Sequence, residues 1–114
     1  MAIEKFEDAI VWQKSKGFAV DIYKLFKGCK DFSFRDQIQR ASISISNNIA
    51  EGFERRSNKE FKYFLYISKG SSGETRSMLY VAKELGYINE IDFEAVYPKS
   101  CEISRMLSGL IKTV

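Results

Sequence analysis

The sequence predicts an all-α protein, an antiparallel up-down-up-down four-helix bundle, on three observations. Apolar and small residues recur at alternating intervals of four and three positions in four segments, and this spacing places them on one face of a helix. One proline and seven glycines in 114 residues leave long stretches free to stay helical. The segments are joined by short connections, which favour antiparallel neighbours. We therefore expect one four-helix-bundle domain over residues 1–114.

The first helix is predicted to start near Asp8, whose carboxylate suits the positive end of a helix dipole. One row of residues forms the buried face, and a second row, seven positions apart, widens it to the width that a bundle requires. Gly28 is expected to end the helix. The first row is Val11, Ser15, Phe18, Ile22 and Leu25, and the second is Trp12, Ala19 and Phe26.

The second segment carries two conflicting patterns. Residues 42–46 alternate serine and isoleucine as a strand would, but a helical period extends over a much longer stretch, and no partner strand is visible elsewhere. We therefore predict a helix, with Gly52 as its C-terminal cap. The residues of the helical face are Phe34, Ile38, Ala41, Ile45 and Ile49.

The third helix begins with a capping box, in which Ser57 is followed three positions later by Glu60. Gly70 and Gly73 raise the alternative of a loop that divides the segment. Each glycine costs only about 1 kcal/mol in a helix, and the helical phase does not slip across them, so we predict one continuous helix of about 28 residues. Small residues on its face imply close approach of a neighbouring helix. The face is Phe61, Leu65, Ser68, Ser72, Thr75, Leu79 and Ala82.

The fourth helix is expected to start near Asn89, a residue type that caps helix N-termini well. Pro98 lies inside the pattern, where it removes one backbone hydrogen bond and clashes with the preceding turn. We expect either a kink at Pro98 or a short helix that restarts there. The face consists of Val96, Ser100, Ile103, Leu107, Leu110 and Val114.

The composition excludes several classes of site. Because the chain has no histidine, it cannot use Ser-His-Asp or Cys-His catalysis, histidine-ligated zinc or a histidine-containing di-iron site. Two cysteines, Cys29 and Cys101, are too few for a disulfide framework or a structural zinc site. We therefore expect no enzyme activity, no cofactor and no metal.

The sequence also predicts a cytoplasmic protein without a membrane partner. No apolar run approaches the roughly 20 residues that a membrane span needs. The N-terminal residues 1–8 carry acidic residues, whereas a signal peptide would carry basic residues followed by an apolar stretch.

Five short motifs together resemble the bacterial four-helix-bundle family named after the 23S rRNA intervening sequence. The most specific is Asn48-Ile49-Ala50-Glu51-Gly52, inside residues 39–53, and the similarity covers nearly the whole chain. In the connection before the second helix, Phe32-Ser33-Phe34 replaces the Phe-Pro turn of the family. The other motifs are Val11-Trp12-Gln13, Ser71-Ser72-Gly73-Glu74, Leu85-Gly86-Tyr87 and Leu107-Ser108-Gly109-Leu110-Ile111.

The resemblance implies a bundle that assembles into a homo-oligomeric ring, with a pentamer favoured. The chain is also similar to the accessory proteins of diversity-generating retroelements, which bind nucleic acid and a reverse transcriptase through a basic ring surface. RNA or DNA is therefore the partner that the resemblance suggests, beside a possible protein partner.

A basic surface on the third helix and the loop before it is the candidate nucleic-acid site. The net charge is only +3, but residues 55–76 hold six bases and two acids, whereas residues 84–98 hold four acids and no base. Tyr66 lies among the bases and could stack on an unpaired nucleotide base. The alternative is a solvated flank whose lysine stems cover apolar surface. The candidate residues are Arg55, Arg56, Lys59, Lys62, Tyr66, Lys69 and Arg76.

Exposed aromatic residues support an oligomer as well. Some aromatic residues lie outside the narrow core face: the set is Trp12, Tyr23, Tyr63 and Tyr80. A lone bundle would expose more aromatic surface than a monomer usually carries.

We predict a non-catalytic oligomeric scaffold or nucleic-acid-binding accessory protein. The alternative function is a protein–protein interaction module without nucleic-acid binding, which would use the acidic end and the exposed aromatics.

Two carboxylates define the enzymatic alternative. Glu51 and Glu74 could face one another in the bundle and bind a metal or share a proton. The simpler interpretation is that Glu51 pairs with Arg55 four residues later, or with Arg40 or Arg76 on a facing helix. Asn48 is expected to be a buried polar residue that sets helix register.

Overall fold

A computed structural model describes residues 3–114 of the chain, which fold into four α-helices and no strand. A short 3₁₀ turn, Phe6–Asp8, precedes the first helix. The all-α prediction is confirmed. The helices are α1 (Ile10–Leu25), α2 (Phe32–Glu54), α3 (Asn58–Glu84) and α4 (Glu90–Thr113).

The four helices form an antiparallel bundle in which each helix has two neighbours. Side-chain contacts show the directions: Gln37 bonds Glu74 while Ser44 bonds Ser71, so that α2 and α3 run in opposite senses. The contacts of α4 with α1 and α3 are antiparallel in the same way. Since α1 packs on α2 and α4, and α3 packs on the same two helices, α1 and α3 lie diagonally opposite.

The predicted helix faces are the buried faces of the bundle. Every predicted α3 face residue is buried, as are most of those on the other helices. Five predicted members are only half-buried at the edge of the core: Trp12, Leu25, Phe34, Leu110 and Val114. The core also contains Met78, Ile88, Phe93 and Ile111, which the spacing alone did not identify.

The conflict in the second segment is resolved in favour of the helix. Ser42 and Ser46, which made the pattern look like a strand, are buried, and their hydroxyls donate to Gln39 O and Ile43 O one turn earlier. These bonds satisfy the hydroxyls within the helix itself. The helix starts at Phe32 because the Asp31 carboxylate accepts the backbone N–H of Phe34.

The sequence suggested Gly52 as the C-terminal cap of α2, and this prediction is wrong. The helix continues to Glu54, and Gly52 keeps a negative φ, whereas the left-handed conformation occurs at Gly86 alone within residues 3–114. Gly52 is needed for space: a Cβ there would lie 2.9 Å from Cδ1 of Phe61 and 3.1 Å from Cβ of Phe64.

Both long helices pass through their suspected breaks. Helix α3 continues across Gly70 and Gly73, as predicted. Helix α4 starts at Glu90, where Asn89 accepts the N–H of Asp92, and continues through Pro98, so the predicted restart is wrong. Helix α1 starts at Ile10, beyond Asp8, and ends at Leu25, three residues before Gly28.

No helix within residues 3–114 is long and apolar enough to cross a membrane.

Candidate nucleic-acid interface on the third helix

The basic surface starts in the loop that joins α2 to α3. Ser57 accepts the backbone N–H of Glu60 and donates its hydroxyl to the Glu60 carboxylate, so the predicted cap is present. This cap fixes where α3 begins, and therefore which residues of its first turns share a face. Arg55 and Arg56 lie just before the cap and are exposed.

The bases of α3 form a row along its flank. Lys62, Lys69 and Arg76 follow one another at intervals of seven residues, and Lys59 precedes them by three. Since a helix rises 1.5 Å per residue, the row from Lys59 to Arg76 is about 26 Å long. The three residues spaced by seven are half-buried, which fits stems that lie on apolar surface while the charged ends reach solvent.

The row lies on the side of α3 that adjoins α4. Ser72 of α3 donates to Ser100 O of α4, whereas Ser71 and Glu74 face α2. Lys62, Lys69 and Arg76 lie on the Ser72 side of the helix, given 100° per residue. The row therefore borders the outer surface that α3 and α4 share.

Most of these bases are not neutralised by a carboxylate. Within residues 3–114, no ion pair involves Arg56, Lys59, Lys62, Lys69 or Arg76. Arg55 differs from the others, because its guanidinium lies 2.7 Å from Glu51, 3.9 Å from Glu60 and 4.8 Å from the Phe64 ring. The Glu51–Arg55 pair expected from the i,i+4 spacing is confirmed, and it leaves Arg55 the weakest member of the surface.

Two tyrosines accompany the basic row. Tyr66 is 55% exposed and lies on the flank between Lys59 and Lys69. Tyr63 is 62% exposed and has an edge contact with Phe64, 5.3 Å between ring centroids. The sequence analysis placed Tyr63 at an oligomer interface. Because Tyr63 lies three residues from Tyr66, the two rings are neighbours near the same end of α3, and the sequence could have grouped them.

The fourth helix adds two bases that the sequence interpretation missed. Because α4 runs antiparallel to α3 and Ser100 lies beside Ser72, the C-terminal half of α4 lies beside the N-terminal half of α3. Arg105 and Lys112 in that half are exposed and form no ion pair among the described residues. Their proximity to the row could have been inferred from the antiparallel topology.

The opposite end of the α3–α4 surface is acidic and carries its own contacts. Lys83 and Glu90 form an ion pair at 2.9 Å, and this contact raises the pKa of Lys83 and lowers the pKa of Glu90. The Tyr80 and Tyr97 hydroxyls form a hydrogen bond of 2.8 Å, and this bond, a contact with the Cys101 thiol and burial together raise the pKa of Tyr97 to about 12. The bases and acids of the sequence are thus separated along one surface.

The structure does not bring together the carboxylates of the enzymatic alternative. Glu74 bonds Gln37, whereas Glu51 lies fourteen residues further along α2, a distance of about 21 Å on the helix axis. The Glu51 carboxylate also accepts a hydrogen bond from the Arg55 guanidinium. No group of three potential metal ligands occurs within residues 3–114. Cys29 and Cys101 are free thiols on separate parts of the chain.

The Asn48 side chain bonds within its own helix, α2. It is half-buried, and its amide donates to the backbone oxygen and hydroxyl of Ser44 in the same helix. The link to α3 comes from Ser44, whose hydroxyl accepts from Ser71 at 3.0 Å. Asn48 was expected to be buried but is half-buried, and its hydrogen bonds reach the α2–α3 contact through Ser44.

The sequence and the fold both match a known family. The model of the family described as 23S rRNA-intervening sequence protein matches residues 7–109, and the chain therefore belongs to this family. It is similar to a crystal structure from Bacteroides thetaiotaomicron, described as a protein with unknown function from the S23 ribosomal protein family. The TM-score is 0.85 at 33% identity, over 90% of this chain and 99% of that one. No curated protein matches the sequence.

Proposed function

We propose that this member of the 23S rRNA-intervening sequence protein family is a non-catalytic, oligomeric scaffold that binds RNA or DNA. The nucleic acid contacts the row of bases on α3 and the loop before it. One observation carries the proposal: five basic residues of this surface have no carboxylate partner within residues 3–114. They are Arg56, Lys59, Lys62, Lys69 and Arg76. When lysines and arginines without a carboxylate partner neutralise phosphates, the nucleic acid releases its condensed counterions, and this release favours association.

The residues of this surface suit contacts with the phosphate backbone of a nucleic acid rather than recognition of its nucleotide sequence. Lysine and arginine ends on a convex helix flank can meet phosphates, which position a nucleic acid without reporting its sequence. Exposed Tyr66 and Tyr63 offer rings on which unpaired nucleotide bases can stack. We therefore expect single strands of unrelated sequence to bind with similar affinity, and more tightly than duplexes.

Assembly would increase the affinity without any new contact. A single row carries few charges, and the net charge of the chain is only +3. In an oligomer each copy presents the same row, and the second contact of one strand is intramolecular. A homo-oligomer, with a pentamer as the favoured state, is part of the proposal for this reason.

The test removes charges that the structure shows to be unpaired. The triple variant Lys59→Gln, Lys62→Gln, Lys69→Gln should lose at least about tenfold in affinity for a 30-nucleotide single strand. The slope of log K against log salt should become shallower by about 2. Fluorescence anisotropy at several salt concentrations measures both quantities.

A charge-matched control separates a local site from a general charge effect. The variant Lys27→Gln, Lys30→Gln, Arg40→Gln removes the same number of positive charges from exposed positions outside the basic row. It should keep most of the wild-type affinity. Equal losses of affinity in the two triple variants would contradict a defined binding surface.

If the wild-type protein binds no single-stranded or double-stranded RNA or DNA at low salt, the proposal is wrong, and the protein-interaction module is the function to pursue.

The likeness to accessory proteins of diversity-generating retroelements stays a prediction from the sequence. It adds a specific partner, a reverse transcriptase, which would have to dock while the basic row is occupied. Copurification of a tagged protein with a reverse transcriptase, before and after nuclease treatment, would test it.

A further inference from the structure

A basic-edged apolar groove lies between α1 and α2, away from the α3–α4 surface. Val20, Tyr23 and Ile43 line it and are 45%, 38% and 38% exposed. The groove encloses about 420 Å³. Lys16 and Lys24 stand at its edges, and neither forms an ion pair within the described part of the chain.

An acidic, apolar ridge lies on the N-terminal half of α4. Ile91 is 79% exposed, the highest value among the exposed large hydrophobic residues of residues 3–114. Ala95 and Pro98 follow it at i+4 and i+7 and are also exposed, so the three residues form one apolar stripe on the solvent side of the helix. Glu94 lies beside the stripe, within the stretch of residues 84–98 that holds four acids and no base.

The groove and the ridge lie on different sides of the bundle. The groove is formed by α1 and α2, whereas the ridge belongs to α4 and points away from the residues that α4 buries against α1 and α3. One chain therefore cannot fill its own groove with its own ridge. Two copies can make this contact, and each copy then keeps one free groove or one free ridge.

We propose that the α4 ridge of one copy docks in the α1–α2 groove of a second copy of this chain. The apolar stripe covers Val20, Tyr23 and Ile43, and Glu94 approaches Lys16 and Lys24. The charges of the two surfaces are opposite, which favours this occupant and orients the encounter. The inference rests on the scaffold clause of the proposed function, and it identifies the surfaces that build the scaffold.

A contact between two different surfaces is heterologous. Such contacts generate a ring when the rotation between neighbours closes, and a filament when it does not. The basic row lies on neither surface, so it stays open on every copy of the assembly. The proposal thereby assigns Tyr23 to the contact between copies and leaves Tyr63 and Tyr66 available to nucleic acid.

The test uses one variant for each side of the contact. Val20→Asp places a carboxylate in the groove, and Ile91→Asp places one on the ridge. Both positions are exposed, so both variants should keep the helical circular dichroism of the wild type. In light scattering, each variant alone should have the mass of a monomer, 13.2 kDa, whereas the wild type should be larger at micromolar concentration.

Mixing the two variants gives the decisive result. The Val20→Asp chain retains an intact ridge and the Ile91→Asp chain retains an intact groove, so one heterologous contact can form between them. The mixture should therefore give a dimer of about twice the monomer mass and nothing larger. A mixture that stays monomeric, or variants that keep the wild-type mass, would overturn the proposal.

A control variant shows that the effect is local. Phe32→Asp removes an aromatic residue that is 61% exposed and adds the same charge, outside both surfaces and in the first turn of α2, where an acid is favourable. This variant should keep the wild-type mass, and its dissociation would overturn the assignment. A monomeric wild type would also overturn it.

Failure of the assembly proposal can be told from failure of the nucleic-acid proposal. The groove and ridge variants leave all bases of α3 unchanged, so a monomeric variant should still bind nucleic acid, with lower affinity but the same preference for single strands. Wild-type protein that assembles through groove and ridge without binding nucleic acid would instead leave the assembly proposal intact.

Discussion

The contact between α2 and α3 differs from the contact between α1 and α4. Across α2 and α3, small residues allow close approach: Ser68 donates to Ile45 O at 2.7 Å, and Gly52 makes room for Phe61 and Phe64. Across α1 and α4, the polar links are exposed ion pairs, Lys14–Glu102 and Asp21–Lys99.

A buried hydroxyl of α3 and a buried hydroxyl of α1 also differ in their hydrogen bonding. Ser68 in α3 is fully buried and bonded across the seam, whereas Ser15 in α1 is fully buried and its hydroxyl finds no partner among the described residues. A buried hydroxyl without a partner costs free energy that a bonded one does not. The α2–α3 seam therefore depends on residue identity at single positions, whereas the polar links between α1 and α4 are exposed ion pairs, which contribute little to stability.

The largest contrast is expected from the same substitution at two glycines. Gly52→Ala overpacks the α2–α3 seam, at a cost of about 1–3 kcal/mol. Alanine regains about 1 kcal/mol of helix propensity, so the free energy of unfolding should fall by up to about 2 kcal/mol. Gly70→Ala, in α3 with no atom near its Cβ position, should raise it by about 1 kcal/mol. Urea unfolding at one protein concentration measures both, and a gain at Gly52 would contradict the close-approach argument.

Two serine variants should change stability in opposite directions. Ser68→Ala removes a bond across the seam and should lower the free energy of unfolding by about 1 kcal/mol. Ser15→Ala removes a hydroxyl that is buried without a partner and should raise it by about 1 kcal/mol. The same urea experiment applies. Equal losses would show that Ser15 has a partner in solution.

The smallest effect is expected at the α1–α4 ion pair. Lys99 and Asp21 are 55% and 37% exposed, and exposed pairs contribute less than about 1 kcal/mol. A double-mutant cycle with Lys99→Ala and Asp21→Ala should give a coupling free energy below that value, and 1 M salt should remove it. A coupling above 2 kcal/mol, on the order of a desolvated pair, would mean that this seam too depends on a specific polar contact.

Much of the fold could be predicted because the core pattern is local. The intervals of four and three place each face on one side of its helix whatever the rest of the chain does, and the caps at Ser57 and Asn89 mark starts through bonds within one turn. Gly52 shows where such reasoning fails. A glycine near a helix end usually indicates a cap, but this one is required by Phe61, a residue of another helix.

The candidate site was predictable in position but not in detail. The spacing of Lys62, Lys69 and Arg76 placed the bases on one flank of α3. The i,i+4 spacing already predicted that Glu51 pairs with Arg55. Only the structure shows that Arg55 also approaches Glu60 and the Phe64 ring, and that Arg56 has no carboxylate partner within residues 3–114. The position of Arg105 and Lys112 beside the row depends on the register of α4 against α3, which the contact between Ser72 and Ser100 shows.

The sequence by itself determined the four helices, their buried faces and the separation of basic from acidic segments. These features follow from periodicity and from contacts within a few residues. Only the tertiary structure decided that Gly52 marks a close helix contact rather than a helix end, which charges pair between different helices, and where the exposed apolar residues meet. Val20, Tyr23 and Ile43 come from two helices, and Ile91 becomes a ridge only because α4 buries its other side. Such surfaces are set by the packing of whole helices, which no local pattern encodes.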